Sequence, residues 1–230
     1  MKYVVLLSGG LDSSTVLGII SNKIEPENVF ALSINYNQRH RRELESAKKI
    51  AGFFGVDHNH KIMNLDLRAF GGSALTSDME VPTDRTLEEM GKDIPITYVP
   101  GRNTIFISLA LSYAETIDAD AVALGVNALD YSGYPDCRPE FIKKFRELSG
   151  LANKRGIEGR PIQIYTPIIN MTKAQIIKRG TKLHVPYEYT WSCYNGGEKA
   201  CGVCDSCKLR LQGFAENGIS DPIEYENSVR

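Results

Sequence analysis

Short apolar runs alternate along the chain with longer segments of mixed polarity. Three of these runs, at 2–7, 29–36 and 121–126, are rich in branched residues and bounded by turn signals. Runs of this kind are typical of strands that are buried on both faces of a parallel sheet. The pattern therefore predicts at least three buried strands, separated by segments long enough to cross over the sheet.

The segments between the runs have the spacing of amphipathic helices. In 41–55 the apolar residues share one face and Gly55 is placed to end the helix, and in 104–117 they recur one turn apart. Thr172 and Gln175 have capping-box spacing at the start of a third helix. The apolar positions concerned are Leu44, Ala47, Ile50 and Ala51 in the first helix, and Ile105, Leu109 and Tyr113 in the second. This alternation predicts a doubly wound, Rossmann-like α/β fold with a parallel sheet and right-handed crossovers.

Ligands in such sheets bind beyond the carboxyl ends of the strands, so the residues that follow each strand matter most. Residues 71–100 have no clear period and are rich in Gly, Thr, Asp and Pro, and we expect a mobile excursion over that edge. We expect one α/β domain over 1–188, with a small C-terminal segment over 189–230 packed on the same core.

Composition narrows the class of ligand. The 230 residues carry 27 basic and 28 acidic side chains, a net charge of −1, whereas proteins that bind nucleic acid directly usually have a basic surplus. A small-molecule substrate is therefore favoured. No apolar stretch approaches the ~20 residues that span a bilayer, and the N-terminal apolar run is too short for a signal peptide. We expect a cytoplasmic protein that does not bind membranes, with reduced cysteines.

A glycine-rich turn follows the first predicted strand. In "LLSGGLDSSTV", the glycines of Ser8-Gly9-Gly10 permit positive φ and let backbone N–H groups converge on an anion, in front of a helix predicted to begin near Ser13. Ser13 and Ser14 add hydroxyl donors. The turn lacks the lysine of the Walker loop and the dinucleotide fingerprint. Asp12 would repel a phosphate unless it held Mg²⁺ or tied down the loop; alternatively Asp12 is a helix N-cap and the glycines form a tight turn.

Four of the five cysteines lie close together near the C-terminus. Cys193, Cys201, Cys204 and Cys207 have the spacing C-x7-C-x2-C-x2-C, which can close a tetrahedral thiolate shell around a structural Zn²⁺. An iron–sulfur cluster is the alternative, although the ferredoxin spacing is missing. Three glycines allow tight bends, and three apolar residues could pack a following helix onto the core. They are Gly196, Gly197 and Gly202, and Leu211, Phe214 and Ala215. Cys137, far off in sequence, is interpreted as a buried bystander.

The stretch 124–142 leaves the end of a predicted strand. Its aromatic residues could stack on a planar ring, its carboxylates could accept ring N–H groups, and its arginine could pair with a carboxylate. These residues are Asp130, Tyr131, Tyr134, Asp136 and Arg138. An ordinary loop followed by an amphipathic helix from Pro139 explains the stretch equally well.

The motif S-G-G-L-D-S-S resembles the signature of the PP-loop ATP pyrophosphatase superfamily, which activates substrates by adenylation. Within it the chain resembles the 7-cyano-7-deazaguanine synthase (QueC) family over nearly its whole length. The stretches that carry the resemblance are 36–44, 98–110, 124–142, 166–177 and 190–207. One minor departure is Ser-Ser-Thr after Asp12, where related enzymes vary, and it implies no lost function.

The resemblance implies an ATP-dependent ligase that converts 7-carboxy-7-deazaguanine and ammonia into 7-cyano-7-deazaguanine, a queuosine precursor, by activating first a carboxylate and then an amide. The ATP site would comprise Ser8, Gly9, Gly10, Leu11, Asp12, Ser13 and Ser14, with Mg²⁺ beside Asp12. Lys173 and Arg102 would join Asp12 in catalysis, and Arg39 and His40 could also reach the site. The loop residues Asp130, Tyr131, Tyr134, Asp136 and Arg138 would bind the substrate. The resemblance also implies one structural zinc per chain and a homodimer. Free ammonia would be the nitrogen donor, since no glutaminase domain fits in 230 residues.

Two other functions remain open from the residues. A PP-loop enzyme that modifies tRNA, of the thiolase or lysidine synthetase type, would need a catalytic cysteine pair or a basic RNA-binding surface. A non-catalytic nucleotide-binding module with a zinc knuckle would bind ATP without cleaving it.

Overall fold

Five parallel strands form a single sheet in the order β3-β2-β1-β4-β5. The computed structural model describes residues 1–38, 41–90, 93–129 and 133–226. The strands are β1 (Tyr3–Leu6), β2 (Val29–Asn35), β3 (His60–Asn64), β4 (Ala121–Ala123) and β5 (Gln163–Tyr165). The three predicted strands are confirmed, and β3 and β5 extend the sheet at its two edges.

Eight helices connect or follow the strands within the described residues. They are α1 (Leu11–Ser21), α2 (Arg42–Phe53), α3 (Leu87–Met90), α4 (Arg102–Thr116), α5 (Pro139–Ala152), α6 (Lys154–Ile157), α7 (Lys173–Lys182) and α8 (Asp205–Ala215). The predicted signals end and begin helices as expected: Gly55 takes a φ of +67° just after α2, and Thr172 forms a capping box with Gln175 at the start of α7.

The helices cover both faces of the sheet. Successive side chains of a strand point to opposite faces, so neighbouring strand residues pack against different helices. In β1, Val4 packs in a core with α4 and α5, whereas the adjacent Val5 packs in a second core with α1, α2 and α7. Phe214 of α8 is buried in that second core, although Ala215 beside it is exposed. The doubly wound α/β prediction is therefore confirmed.

The long excursion between β3 and α4 packs on the cysteine segment. Thr83 forms an antiparallel bridge with Cys204, and the Asp84 amide donates to the Val203 carbonyl at 3.1 Å. Ala74 and Val81 are buried in the same small core as the four clustered cysteines. The excursion is therefore attached to the C-terminal segment by backbone hydrogen bonds as well as by side chains.

The strand order reverses between β1 and β4. From β1 the chain crosses to β2 on one side, and β4 lies against β1 on the other side, so β1 and β4 flank the point where the strand order reverses. Such a point leaves a crevice in which doubly wound proteins bind ligands. None of the helices in the described parts of the chain is long and apolar enough to cross a membrane.

Candidate active site

The loop after β1 lies in direct contact with helix α2. Gly9 has a φ of +87°, and a Cβ atom at this position would lie 2.1 Å from the Glu43 carbonyl oxygen and 2.6 Å from the Ala47 nitrogen. Any side chain would therefore force the loop and the helix apart. Gly10 has an ordinary φ of −77° and is the N-cap of α1, so only the first glycine uses the left-handed region.

Helix α1 begins at Leu11, two residues earlier than the sequence predicted, because Gly10 takes the N-cap position. The interpretation of Asp12 as the N-cap is accordingly wrong. The first intrahelical hydrogen bond runs from the Ser14 amide to the Gly10 carbonyl at 3.1 Å, so the preceding amides at the helix start are available to an anion.

The two serines of this helix differ in their surroundings. The Ser13 hydroxyl lies 2.9 Å from the Ser8 hydroxyl and accepts a hydrogen bond from the Ser8 amide at 3.1 Å, which fixes the loop. The Ser14 hydroxyl is buried and has no hydrogen-bond partner among the residues that the structure describes. Ser13 therefore holds the shape of the loop, and Ser14 retains an unused donor.

Asp12 and Lys173 form the central ion pair of the site. The Lys173 ammonium lies 2.7 Å and 2.8 Å from the two Asp12 carboxylate oxygens, and both side chains are mostly buried. Lys173 is the first residue of α7, directly after the capping residue Thr172. Its stem packs on α8, where a Cβ atom at Gly213 would lie 2.7 Å from the Lys173 Cγ atom. The pair therefore places one cation beside the loop after β1.

A cavity of about 290 Å³ opens at the carboxyl edge of the sheet, between the ends of β1 and β4. Its walls combine the loop after β1, the residues after β2 and β4, and side chains of α2, α4 and α7. Among the lining residues are Ser8, Asp12, Tyr36, Glu43, Arg102, Tyr134, Lys173 and Trp191. Gly125, two residues after β4, allows a close approach to α1, because a Cβ atom there would lie 2.9 Å from the Ser13 nitrogen.

Arg102, Glu43 and two tyrosines form one wall of this cavity. The Arg102 guanidinium lies 5.7 Å from the centre of the Tyr134 ring, a cation–π distance. Burial raises the pKa of Glu43 to about 7, although the nearby Arg102 charge acts in the opposite direction. Burial, together with the Glu43 charge, raises the pKa of Tyr36 to about 12. The wall thus holds a fixed cation next to a carboxyl group that can gain or lose a proton near neutral pH.

The predicted substrate loop reaches the cavity only in part. Tyr134 lines the cavity, and its hydroxyl lies 3.1 Å from the Thr97 hydroxyl. Asp136 is buried outside the lining and accepts hydrogen bonds from the Asn103 amide at 2.9 Å and from the Asn103 side chain. Arg138 is exposed and occupies the N-cap position of helix α5 without a side-chain capping hydrogen bond, and α5 starts at Pro139 as the ordinary-loop interpretation expected. Asp130, Tyr131, Arg39 and His40 lie outside the described residues.

The four clustered cysteines are all buried, and their Sγ atoms lie within 4.8 Å of one another. A tetrahedral ion with metal–sulfur bonds of about 2.3 Å requires sulfur–sulfur distances of about 3.8 Å, and the Cys201 and Cys207 sulfurs are 4.0 Å apart. An iron–sulfur cluster distributes its thiolates over several irons and so spreads them further. The geometry therefore fits a single metal ion. Cys137 is separate from this group, and burial raises the pKa of its thiol to about 12.

The cysteine segment is joined to the loop after β1. The Trp191 amide donates to the Gly9 carbonyl at 3.0 Å, and the Arg42 guanidinium lies 4.4 Å from the centre of the Trp191 ring. Arg210, almost fully buried, pairs with the buried Asp221 at 2.7 Å and also donates to the Tyr187 carbonyl. The cysteine segment therefore forms part of the cavity wall.

The family model of queuosine biosynthesis protein QueC matches residues 2–218 of the chain. The chain belongs to the QueC family. A 7-cyano-7-deazaguanine synthase of Trichodesmium erythraeum (strain IMS101) is 58% identical over 224 residues, which cover 97% of this chain and all of that protein. Another, of Trichormus variabilis (strain ATCC 29413 / PCC 7937), is 54% identical over the full length of both chains. Among solved structures, a 4-thiouridine synthetase in complex with RNA and bound ATP has a TM-score of 0.50 and 17% identity, covering 82% of this chain and 42% of that one, which shows a shared fold.

In this QueC-family chain, sequence reasoning missed Glu43, Tyr36 and Asn103. Glu43 occurs in a helix with an ordinary mixture of charges, and only the close approach of α2 to Gly9 turns it towards the cavity. Tyr36 follows β2 and could have been found, since every residue after a strand of a parallel sheet lies at the ligand edge. Asn103 gave no signal, because its partner Asp136 lies 33 residues away.

Proposed function

We propose that this chain is an enzyme that converts 7-carboxy-7-deazaguanine, ammonia and ATP into 7-cyano-7-deazaguanine. The observation that carries the proposal is its full-length match, at 54% identity or more, to proteins named 7-cyano-7-deazaguanine synthase. The geometry is consistent with this activity, because an anion-binding loop, a lysine and an arginine meet in one cavity at the switch point of the sheet.

The chemistry explains why ATP is required. A carboxylate is a poor electrophile, since its leaving group would be oxide. Attack of the substrate carboxylate on the α-phosphorus of ATP releases pyrophosphate and gives an acyl adenylate, from which AMP can leave. Ammonia then forms the amide. A second adenylation, now at the amide oxygen, allows loss of AMP to give the nitrile.

Each residue of the loop has a part in the first step. The amides at the start of α1, with the hydroxyls of Ser8, Ser13 and Ser14, would bind the pyrophosphate of ATP, and Gly9, Gly10 and Leu11 would shape that site. Lys173 would stabilise the charge that develops on the phosphates. Asp12 holds Lys173 in place and has the oxygen chemistry that Mg²⁺ prefers, so we assign to it the Mg²⁺ that accompanies ATP.

The substrate would occupy the part of the cavity beside Arg102 and Tyr134. Arg102 can pair with a carboxylate or a phosphate, and Tyr134 offers an aromatic face to the deazapurine. Asp130 and Tyr131 would complete the recognition of the ring. Asp136 would act indirectly by fixing Asn103 at the start of α4, next to Arg102. Arg138 is then an outer contact of the loop, and its replacement should matter least.

The cysteine cluster would hold one structural Zn²⁺, since four thiolates leave no open position for catalysis. Free ammonia is proposed as the nitrogen donor. We further propose that the enzyme is a homodimer and works in the cytoplasm, where thiolates remain reduced.

Mass spectrometry of a reaction with pure protein, MgATP, ammonium and 7-carboxy-7-deazaguanine tests the proposal. We expect the nitrile, with two AMP and two pyrophosphate released per nitrile. ADP and phosphate as products would refute adenylation. If ATP-binding, metal-loaded protein forms no nitrile, the assigned substrate is wrong, and an unmodified tRNA transcript is the next substrate to test.

A further inference from the structure

Among the described residues, two carboxylates that line the cavity have no role assigned above. One of them, Asp205, is already paired with Arg85 at 2.9 Å, and the other is Glu43. Glu43 lies in the first turn of α2, and its backbone carbonyl is the atom that Gly9 approaches most closely. Its side chain is half-buried and lines the cavity together with Ser8, Gly10 and Arg102. It is therefore placed beside the loop at which the adenylate would form.

Among the residues that the structure describes, the Glu43 carboxylate makes no hydrogen bond and no ion pair. Carboxylates are rarely buried without a partner, because removal from water penalises the charged form. Two charged or titratable groups face Glu43: Arg102 lowers its pKa and Cys193 raises it. The Glu43 charge in turn raises the pKa of Tyr36. None of them forms a hydrogen bond or an ion pair with the Glu43 oxygens, which line the cavity and are free to contact a bound reactant.

The proposed reaction needs a proton acceptor at this place. When ammonia adds to the adenylated carboxyl carbon, the new C–N bond leaves a positive nitrogen that must lose one proton as the C–O bond to AMP breaks. In the second step the amide oxygen leaves with AMP, and the nitrogen loses both of its protons as the C≡N bond forms. Neither Lys173 nor Arg102 can accept these protons while they remain cationic.

Resting on the function proposed above, we propose that Glu43 is the general base that removes protons from the substrate nitrogen in both steps. The carboxylate takes one proton from nitrogen in amide formation and passes it to solvent before the second cycle. In nitrile formation it accepts a proton again, and the other leaves to water. Independently, a pKa of about 7 matches what an efficient base requires at neutral pH.

Glu43→Gln tests this role, with Glu45→Gln, an exposed residue of the same helix, as the matched control. The first measurement is isotope exchange between pyrophosphate and ATP with 7-carboxy-7-deazaguanine and no ammonia, which reports adenylation alone. The second is nitrile formation with ammonium, starting from the acid and, separately, from the amide. For Glu43→Gln we expect exchange within about threefold of the wild type and nitrile formation reduced about 10²–10⁴-fold from either substrate. Glu45→Gln should match the wild type.

Three results would overturn the role. Loss of exchange at saturating substrate would mean that Glu43 serves ATP or its metal ion. A raised KM for the acid with an unchanged kcat would mean that Glu43 binds the ring N–H groups of the substrate. Unchanged nitrile formation would mean that it has no part in the reaction. If Glu43→Gln does not fold, Glu43→Ala with added formate takes its place. Formate should restore nitrile formation if the variant lacks only a base. Failure of formate to restore it in folded protein counts against the role. Absence of nitrile with the wild-type enzyme would instead refute the proposed function itself.

Discussion

Replacement of Gly213, a residue of α8 that packs against α7, by alanine should lower the stability of the protein and displace Lys173. A Cβ atom at this position would lie 2.7 Å from Lys173 Cγ and 2.8 Å from Ile177 Cδ1, both closer than side-chain contacts normally permit. Alanine favours a helix over glycine by about 1 kcal/mol, whereas overpacking of this kind costs about 1–3 kcal/mol. The net change should therefore lie between about 0 and 2 kcal/mol of lost stability. For a chain of this size that corresponds to a Tm lowered by up to about 8 °C.

The same substitution should also affect ATP. The Lys173 stem is the flexible partner in the clash, but its ammonium is held at 2.7 Å from Asp12, so a displaced stem pulls the ammonium away from the loop. We expect a higher KM for ATP in steady-state assays. Gly52 provides a matched control, because it lies near the end of α2, is exposed, and has nothing within 4 Å of its would-be Cβ atom. Gly52→Ala should raise Tm by about 2–4 °C and leave the KM unchanged. If both variants are stabilised alike and bind ATP alike, the tight packing of α7 on α8 does not position Lys173.

Further predictions concern the charged groups and the metal. Lys173→Met should lower kcat about 10²–10³-fold in steady-state assays, whereas Lys182→Met at the exposed end of the same helix should not, and equal effects would contradict the phosphate role. Arg210→Met should cost about 3–5 kcal/mol in urea unfolding, because it strands the fully buried Asp221, and a loss below about 1 kcal/mol would refute that account. Burial raises the pKa of Glu43 from 4.5 in the unfolded chain to about 7 in the folded protein, so the folded protein binds more protons than the unfolded chain between these pH values. The stability of the wild type should therefore fall as pH rises from 4.5 to 7. The Tm advantage of Glu43→Gln should grow over the same window and level off above it; an advantage that shrinks with rising pH would have the wrong sign. Removal of the metal by a chelator should lower Tm by at least about 5 °C, with metal content measured in parallel, and an unchanged Tm in metal-free protein would show that the cysteine cluster does not depend on an ion.

The fold could be predicted from the sequence because its determinants are local. Buried parallel strands are continuous apolar runs, and the capping box of Thr172 and Gln175 is complete within four residues. The rule that ligands bind at the carboxyl edge predicts that the loop at Ser8 and the stretch that holds Tyr134 lie at one site, and the family resemblance adds Lys173; all three line the same cavity.

The remaining features of the site depend on contacts between distant segments. From the sequence, Asp136 is interpreted as a ligand-binding residue. In the fold, its carboxylate accepts hydrogen bonds from Asn103 at the start of α4. From the sequence, Glu43 is interpreted as a solvent-exposed residue of a charged helix. In the fold, Gly9 packs against α2, and Glu43 lines the cavity. Neither fact can be read from spacing, since each depends on a meeting of elements more than 30 residues apart.

The antiparallel bridge between Thr83 and Cys204 has a consequence for biosynthesis of the enzyme. It joins the excursion after β3 to a segment near the end of the chain, and the Arg85–Asp205 ion pair beside it spans 120 residues. Contacts of such long range form late, because the loop-closure entropy must be met before they stabilise anything. The sheet and the anion-binding loop can assemble while the ribosome is still adding residues, but the wall that the excursion completes cannot. A nascent chain therefore completes this wall of the cavity only after Cys204 and Asp205 have emerged from the ribosome.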